Sequence, residues 1–417
     1  MKLNCIKIVF VLSFLISYLI TINEAREVDL TDRITMFDNK FFRMFFHGFR
    51  VFWFNLAGKT GYRTEGKFLQ EKFPPNAPFP CNVSIGRSKV VPNNVNRLRP
   101  GDIKVIAAMG DSLTAANGAT STKFLDLTME NRGLSWCIGG QWDWRNSTTL
   151  PNILKVYNPK LVGYSTGDAF GIHSETQFNV AEIGAVSFDL PYMAKTLVKR
   201  IRNDPRVNFK KDWKMVTISI GGNDICTFIC AMKNPESLPS KHRRNLFKAV
   251  KYLKDNMPRT FVNIVSKPKV ETVVMPKDKP NECRTLHFIE CSCWQGNTYK
   301  ATAEARKRWT KIEREFTAVD EEVARSPFWR GHKDFAVVYQ PWSTEFSLNP
   351  EGKGNDYSLV SFDCFHMSQK GNAYAGTTLY NNLLQRDPYK QKNWASPMHK
   401  FLCPTEQNPY IYTYDNS

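Results

Sequence analysis

Three widely separated segments of the sequence carry the residue types that hydrolytic chemistry requires. Ser112 follows the apolar run IKVIAAM, and Asn223 follows the apolar run KMVTISI and two glycines. Asp363 and His366 form a D-x-x-H arrangement near the end of the chain. A serine hydroxyl is a weak nucleophile until a base takes its proton, and a histidine oriented by a carboxylate is such a base. This set predicts attack by Ser112, with His366 as the base and Asp363 as its orienting partner.

Attack on an ester carbonyl also creates an oxyanion, which needs hydrogen-bond donors. The candidates are the backbone N–H of Ser112, the side-chain amide of Asn223 and the backbone N–H of Gly184 in FNVAEIGA. Each residue alone has an ordinary structural explanation. Ser112 could be a helix N-cap, and Asn223 could lie in a turn. Asp363 and His366 could form a purely structural hydrogen bond. Because all of them lie beyond a strand or in a loop, their combination favours a catalytic site.

A second serine, Ser165, lies in the segment GYSTG and matches the G-x-S-x-G pattern of α/β-hydrolase nucleophiles. That pattern needs a strong strand before the serine and a helix after it. The residues that follow, DAFGIHSETQFN, contain a glycine and show no apolar helical periodicity. We therefore predict that Ser165 lies in a loop and is not the nucleophile.

Short apolar runs alternate with amphipathic helical patterns from Ile103 onward. The predicted strands are 103–109, 214–220, 260–266 and 335–340, and the predicted helices are 190–204, 240–257 and 297–325. This alternation predicts an α/β, doubly wound fold with a mostly parallel sheet flanked by helices. Ligands bind beyond the carboxyl ends of the strands in such folds, which is where Ser112 and Asn223 are expected.

The sequence before this region has a different character. Residues 1–25 resemble a secretory signal peptide, with two lysines before an apolar run and predicted cleavage after Ala25; the alternative is an uncleaved signal anchor. Residues 26–78 are predicted to be an aromatic and basic extension that ends in a Pro-rich linker. Its aromatic part either inserts among lipid headgroups or packs on the domain as an amphipathic helix. Residues 79–417 are predicted to form the hydrolase domain.

Charge and cysteine content indicate the partners and the bonding expected of a secreted chain. The net charge of +18 favours anionic partners such as membrane surfaces, glycans or nucleic acid, with a solvated basic surface as the alternative. Ten cysteines are present, and nine remain if the signal is cleaved. No pair of C-x-x-C motifs has zinc-site spacing, so disulfides are expected. The odd count leaves either one free thiol or an intermolecular bridge. Asn82 and Asn146 lie in N-glycosylation motifs.

The segments GDSLT, NVAEIGA, GGND and DCFHMS resemble the signature blocks of the GDSL, or SGNH, hydrolases. The longer stretches NRLRPGDIKVIAAMGDSLTAANGA and DWKMVTISIGGNDIC are similar to the animal phospholipase B group of that family. The resemblance extends from about Phe79 to Ser417. It implies a flavodoxin-like SGNH hydrolase fold, catalytic Ser112, Asp363 and His366, and oxyanion donors at Ser112, Gly184 and Asn223.

The resemblance also implies a secreted serine esterase that acts on phospholipids and lysophospholipids at a membrane or micelle surface, without a metal or other cofactor and without a nucleic-acid partner. No membrane anchor is expected after signal cleavage. Cys137 looks like an addition to the family's cysteines and is the expected unpaired thiol. Two alternatives remain open: the same residues acting on a neutral acylglycerol or a glycan acetyl ester, and an inactive lipid-binding protein.

Overall fold

A computed structural model describes Phe45 and residues 66–295, 301–349, 354–394, 396–397 and 400–416. At the centre of this part of the chain is a four-stranded parallel sheet, in which the strands neighbour one another in chain order. The strands are β1 (Ile103–Gly110), β2 (Trp213–Ser219), β3 (Thr260–Val265) and β4 (Phe335–Gln340). Their side chains are almost all buried, as expected of continuous apolar runs. The four predicted strands are therefore confirmed, with small shifts at their ends.

Helices connect and cover these strands. They are α1 (Leu150–Tyr157), α2 (Leu190–Asn203), α3 (Leu238–Asn256), α4 (Val270–Val274), α5 (Asn281–Glu290), α6 (Ser292–Gln295), α7 (Ala303–Ala324) and α8 (Gln369–Leu383). One face of the sheet packs with α1 and α8, and the other face packs with α2, α3 and the end of α7. Helices on both faces confirm the predicted doubly wound α/β fold.

The ends of two predicted helices differ from the structure for local reasons. Helix α3 begins two residues before the predicted start, where Pro239 occupies a first-turn position that needs no N–H donor. Helix α7 begins at Ala303 because the Thr302 side chain accepts a hydrogen bond from the N–H of Ala305 and caps the helix. Residues 301–302 therefore precede the helix, and residues 296–300 lie outside the described part.

The outer edge of β1 pairs with chain segments that are too short to be strands. The N–H of Ile106 donates to the carbonyl of Val162, and the N–H of Ala108 donates to the carbonyl of Phe178. These segments run parallel to β1 on the side opposite β2. The chain therefore continues first on one side of β1 and then crosses to its other side to form β2. Such a switch point leaves a crevice at the carboxyl ends of the strands. Ser112 lies directly beyond that end of β1.

Disulfides link distant segments of the domain. The pairs are Cys81–Cys403, Cys226–Cys291, Cys230–Cys293 and Cys283–Cys364. Cys137 is the unpaired cysteine among the described residues, and it is fully buried. Both the expectation of disulfides and the expectation of an unpaired Cys137 are confirmed.

The predicted signal peptide lies outside the described residues, and so do residues 26–65 of the extension except Phe45. Among the described residues before the predicted domain boundary at 79, Gln70 is buried against the hydrolase core. The N–H of Gln70 donates to Oε1 of Gln369 at 2.6 Å, and its side-chain amide donates to Oγ1 of Thr148 at 3.0 Å. None of the helices in the described ranges combines the length and the apolar character that a membrane crossing requires.

Candidate active site

Strand β1 delivers Ser112 through a tight turn. Gly110 pairs with Ser219 at the end of β2, and a β-carbon on Gly110 would lie 2.3 Å from the Ser219 carbonyl oxygen. Only glycine fits this approach of the two strands. Oδ1 of Asp111 accepts a hydrogen bond from the N–H of Leu113 at 3.0 Å, which closes the turn around the serine. Ser112 is 5% exposed and lies in the wall of a cleft.

A short loop before α8 delivers Asp363 and His366. The N–H of Ser361 donates to the carbonyl of His366 at 2.7 Å, and Cys364 adopts a left-handed backbone with φ of +56°. Few residues other than glycine adopt this conformation, and here it turns the chain sharply between the acid and the histidine. The N–H of Gln369 donates to the carbonyl of Ala119, which ties the start of α8 to the segment after Ser112.

The structure brings Ser112, His366 and Asp363 into one hydrogen-bonded chain. His366 Nε2 lies 2.8 Å from Ser112 Oγ, and His366 Nδ1 lies 2.6 Å from Asp363 Oδ2. Asp363 is fully buried, and its Oδ1 accepts the N–H groups of Phe365 and His366 at 2.9 Å each. Burial raises the pKa of Asp363, but the charge of His366 and these hydrogen bonds outweigh it and hold the pKa below its usual value. An ionised Asp363 fixes the Nδ1–H tautomer, which leaves Nε2 free to accept the serine proton.

Asn223 and Gly184 come from neighbouring loops that are bonded to each other. Nδ2 of Asn223 donates to the carbonyl of Ala185 at 2.9 Å, and buried Asp224 accepts the Ser187 hydroxyl at 2.7 Å. Asn223 lines the same cleft as Ser112, and Gly184 has a φ of +75° that favours glycine. Because an amide nitrogen carries two hydrogens, Asn223 has a second donor beyond the one that it gives to Ala185.

Asp111 is a charged group of the cleft that the sequence reasoning did not single out, although it immediately precedes Ser112. Its carboxyl is buried and faces the backbone of Gly222. Burial raises the pKa of Asp111 to about 6, even though hydrogen bonds from the backbone of Leu113 and Gly222 act in the opposite direction. Asp111 thus links the serine turn to the glycines before Asn223.

The cleft beside Ser112 has about 590 Å³ of empty space, including its open mouth. Most of its lining side chains are apolar, namely Leu113, Pro268, Val270, Val273, Phe346, Val360, Phe365, Met367 and Trp394. Lys267 is a cation of the lining, and its ammonium group is paired with the buried carboxylate of Glu313. The lining therefore suits an apolar chain beside the serine. No sequence pattern pointed to these residues, because most of them come from loops and short helices.

Ser165 lies apart from this chain of hydrogen bonds. It is fully buried, its hydroxyl donates to the carbonyl of Thr176 at 2.9 Å, and its backbone pairs with Gly139. The predicted loop setting of Ser165 is therefore confirmed.

Of the two predicted glycosylation sites, Asn82 is exposed, whereas Asn146 is half-buried with its amide donating to Asp143. Glycosylation of both stays a prediction.

Comparisons with known proteins agree with this geometry. The family model described as GDSL-like Lipase/Acylhydrolase matches residues 106–379. Two similar relatives are both named "Phospholipase B1, membrane-associated". The protein from Homo sapiens is 34% identical over 407 residues, covering 88% of this chain and 27% of its own length. The protein from Mus musculus is 36% identical over 342 residues, covering 79% and 22%. This chain thus spans about a quarter of the length of these relatives, and it belongs to the GDSL-like lipase/acylhydrolase family.

Proposed function

We propose that this protein is a secreted serine esterase that hydrolyses the acyl ester bonds of phospholipids and lysophospholipids. The observation that carries the proposal is the hydrogen-bonded chain from Ser112 through His366 to Asp363, which lies at an apolar cleft. A nucleophile, a base and an orienting carboxylate joined by contacts of 2.6–2.8 Å match the geometry that acyl transfer requires.

The proposed reaction has two steps. Ser112 Oγ attacks the ester carbonyl while Nε2 of His366 takes its proton, and the imidazolium then gives that proton to the leaving alcohol. Water, activated by the same nitrogen, releases the fatty acid from Ser112. The oxyanion of each tetrahedral intermediate is proposed to accept hydrogen bonds from the backbone N–H groups of Ser112 and Gly184 and from Nδ2 of Asn223.

The apolar lining of the cleft favours a substrate with an apolar acyl chain. Its lining is mostly apolar, and each buried methylene contributes about 0.8 kcal/mol of binding free energy. The relatives are phospholipases by name, and this chain matches about a quarter of their length. Acylglycerols and glycan acetyl esters need the same chemistry, so the substrate has to be identified by its products.

An extracellular location is part of the proposal. Four disulfides form among the described residues, and such bonds persist in oxidising compartments. The predicted signal peptide supplies the route, although it lies outside the described residues. Detection of the chain in culture medium with a new amino terminus after Ala25 is the expected result.

The test combines active-site labelling with product analysis. We expect a fluorophosphonate probe to label the wild-type protein and the Ser165→Ala control equally and to leave Ser112→Ala unlabelled. A phosphatidylcholine with two different acyl chains, incubated with the enzyme, should yield both fatty acids by mass spectrometry. If the enzyme released only acetate from glycans, or only fatty acid from acylglycerols, and none from phospholipids, the proposed substrate class would be wrong. An unlabelled wild-type protein that still binds liposomes would identify an inactive lipid-binding protein.

A further inference from the structure

Helix α5 brings a third acid-base group to the Asp363–His366 pair. One side-chain nitrogen or oxygen from each of Glu290, Asp363 and His366 lies within 4.8 Å of the other two. The helix is fixed in this place by the disulfide between Cys283 and Cys364, whose second cysteine directly follows Asp363. Glu290 is the last residue of α5 and is therefore held beside the catalytic loop by a covalent link.

The hydrogen bonding of Glu290 indicates its protonation state. Its Oε2 is shielded from solvent and, within the described residues, has no hydrogen-bond donor facing it. The neighbour of its carboxyl group is the carboxyl group of Asp363. Two ionised carboxylates in contact repel each other and offer only acceptors, whereas a protonated Glu290 can donate to Asp363. Burial, the charge of Asp363 and this hydrogen bond raise the pKa of Glu290 well above its usual value.

The other titratable groups around Glu290 do not balance a second negative charge. His287, one turn earlier on α5, is buried, and its Nδ1 accepts a hydrogen bond from the ammonium group of Lys279 at 3.0 Å. Burial and the charge of Lys279 lower the pKa of His287 to about 4, so its ring is neutral. His366 is already paired with Asp363. A neutral Glu290 therefore suits this surrounding better than an ionised one.

We propose that Glu290 is a positioning residue, protonated in the working enzyme, that donates a hydrogen bond to Asp363. This inference rests on the proposed function of the Ser112 site. The bond adds a side-chain donor to the two backbone N–H groups that already hold the Asp363 carboxylate. A protonated Glu290 also adds no second negative charge on the Asp363 side of the His366 ring. A second ionised carboxylate there would favour the protonated imidazole, which cannot accept the serine proton.

Two substitutions of Glu290 distinguish its hydrogen bond to Asp363 from the effect of a negative charge at this position. Glu290→Gln keeps a donor of the same shape without an ionisable group, and Glu290→Leu removes the donor. We expect the pH profile of kcat/KM on a soluble nitrophenyl ester to be unchanged, within about twofold, in Glu290→Gln. In Glu290→Leu, kcat/KM should fall roughly tenfold, because a hydrogen bond to the charged Asp363 is lost. The acid limb of its pH profile should move to higher pH, because Asp363 becomes more basic without this donor. Glu282→Gln, at an exposed position of the same helix, is the matched control.

A second measurement does not need turnover. In the Ser112→Ala background, NMR titration of the His366 ring should give the same pKa whether Glu290 is retained or replaced through Glu290→Gln, but a higher pKa in Glu290→Leu. An acid limb or ring pKa that falls in Glu290→Gln would show that Glu290 was ionised and would overturn the proposal. Equal behaviour of Glu290→Leu and the protein that retains Glu290, or activity lost to EDTA and restored by a divalent metal, would also overturn it. A wild type without esterase activity would refute the proposed function but leave the NMR test intact.

Discussion

Replacement of Asp363 by asparagine should reverse the roles of the two nitrogens of His366. Oδ1 of Asp363 accepts two backbone N–H groups at 2.9 Å, and Oδ2 faces His366 Nδ1 at 2.6 Å. An asparagine oxygen is held by the two backbone donors, because the opposite orientation would lose two hydrogen bonds of about 1 kcal/mol each. The amide NH₂ then points at Nδ1, which must become an acceptor. Nε2 consequently carries the proton and cannot accept the proton of Ser112.

The expected cost of Asp363→Asn is about 10⁴-fold in kcat, as for other serine–histidine–aspartate sites with the wrong tautomer. This corresponds to about 5 kcal/mol in activation free energy. KM should change little, since Asp363 is buried and does not line the cleft. The assay is steady-state hydrolysis of a nitrophenyl ester, together with the rate of fluorophosphonate labelling.

The control is Asp334→Asn, at an exposed aspartate just before β4, which should retain wild-type rates. A thermal melt of each variant excludes loss of the fold as the cause. A folded Asp363→Asn enzyme that keeps more than about a tenth of wild-type kcat would refute the reasoning. So would a parallel rise in KM, because the variant would then have damaged substrate binding and not proton transfer.

Three further outcomes are expected. Asn223→Ala should lower kcat by about 10²–10³-fold with little change in KM, because it removes a donor to the developing oxyanion, and steady-state kinetics measures both. Val273→Trp should reduce hydrolysis of long-chain esters more than that of acetate esters, because Val273 lines the apolar cleft; a chain-length series checks this. Cys137 should resist iodoacetamide in the native protein and react after denaturation, as mass spectrometry would show, because its thiol is fully buried and burial strongly raises its pKa.

Much of the site could be predicted because strand ends converge. Ser112 and Asn223 follow apolar runs that become neighbouring parallel strands, and the pairing of Gly110 with Ser219 places their loops side by side. The D-x-x-H spacing places Asp363 and His366 on a single turn of chain. Local rules were therefore enough to identify which side chains meet, and the same rules rejected Ser165 because no helix follows it.

The remaining parts of the site depend on contacts between segments that have no sequence pattern in common. Glu290 ends an ordinary short helix, and nothing in its neighbourhood predicts that it faces Asp363, which belongs to a distant segment of the chain. Phe346 and Trp394 reach the cleft from loops, where side-chain direction is not fixed by a helical or strand period. The disulfide pairing was also open, since the number of possible pairings grows rapidly with the number of cysteines.

The disulfide pairing explains how two loops of the site keep their relative positions. The loop that carries Asp363 does not follow directly from a strand of the sheet, so the sheet alone does not fix its place. The Cys283–Cys364 bond ties this loop to the start of α5, and the Cys226–Cys291 bond ties the turn after Asn223 to the end of the same helix. Helix α5 therefore connects the proposed oxyanion donor and the proposed acid through covalent links. Because Glu290 lies on the same helix, the bonds that align the two loops also hold its carboxyl group against Asp363, and the cysteines serve the geometry of the site as well as the stability of the domain.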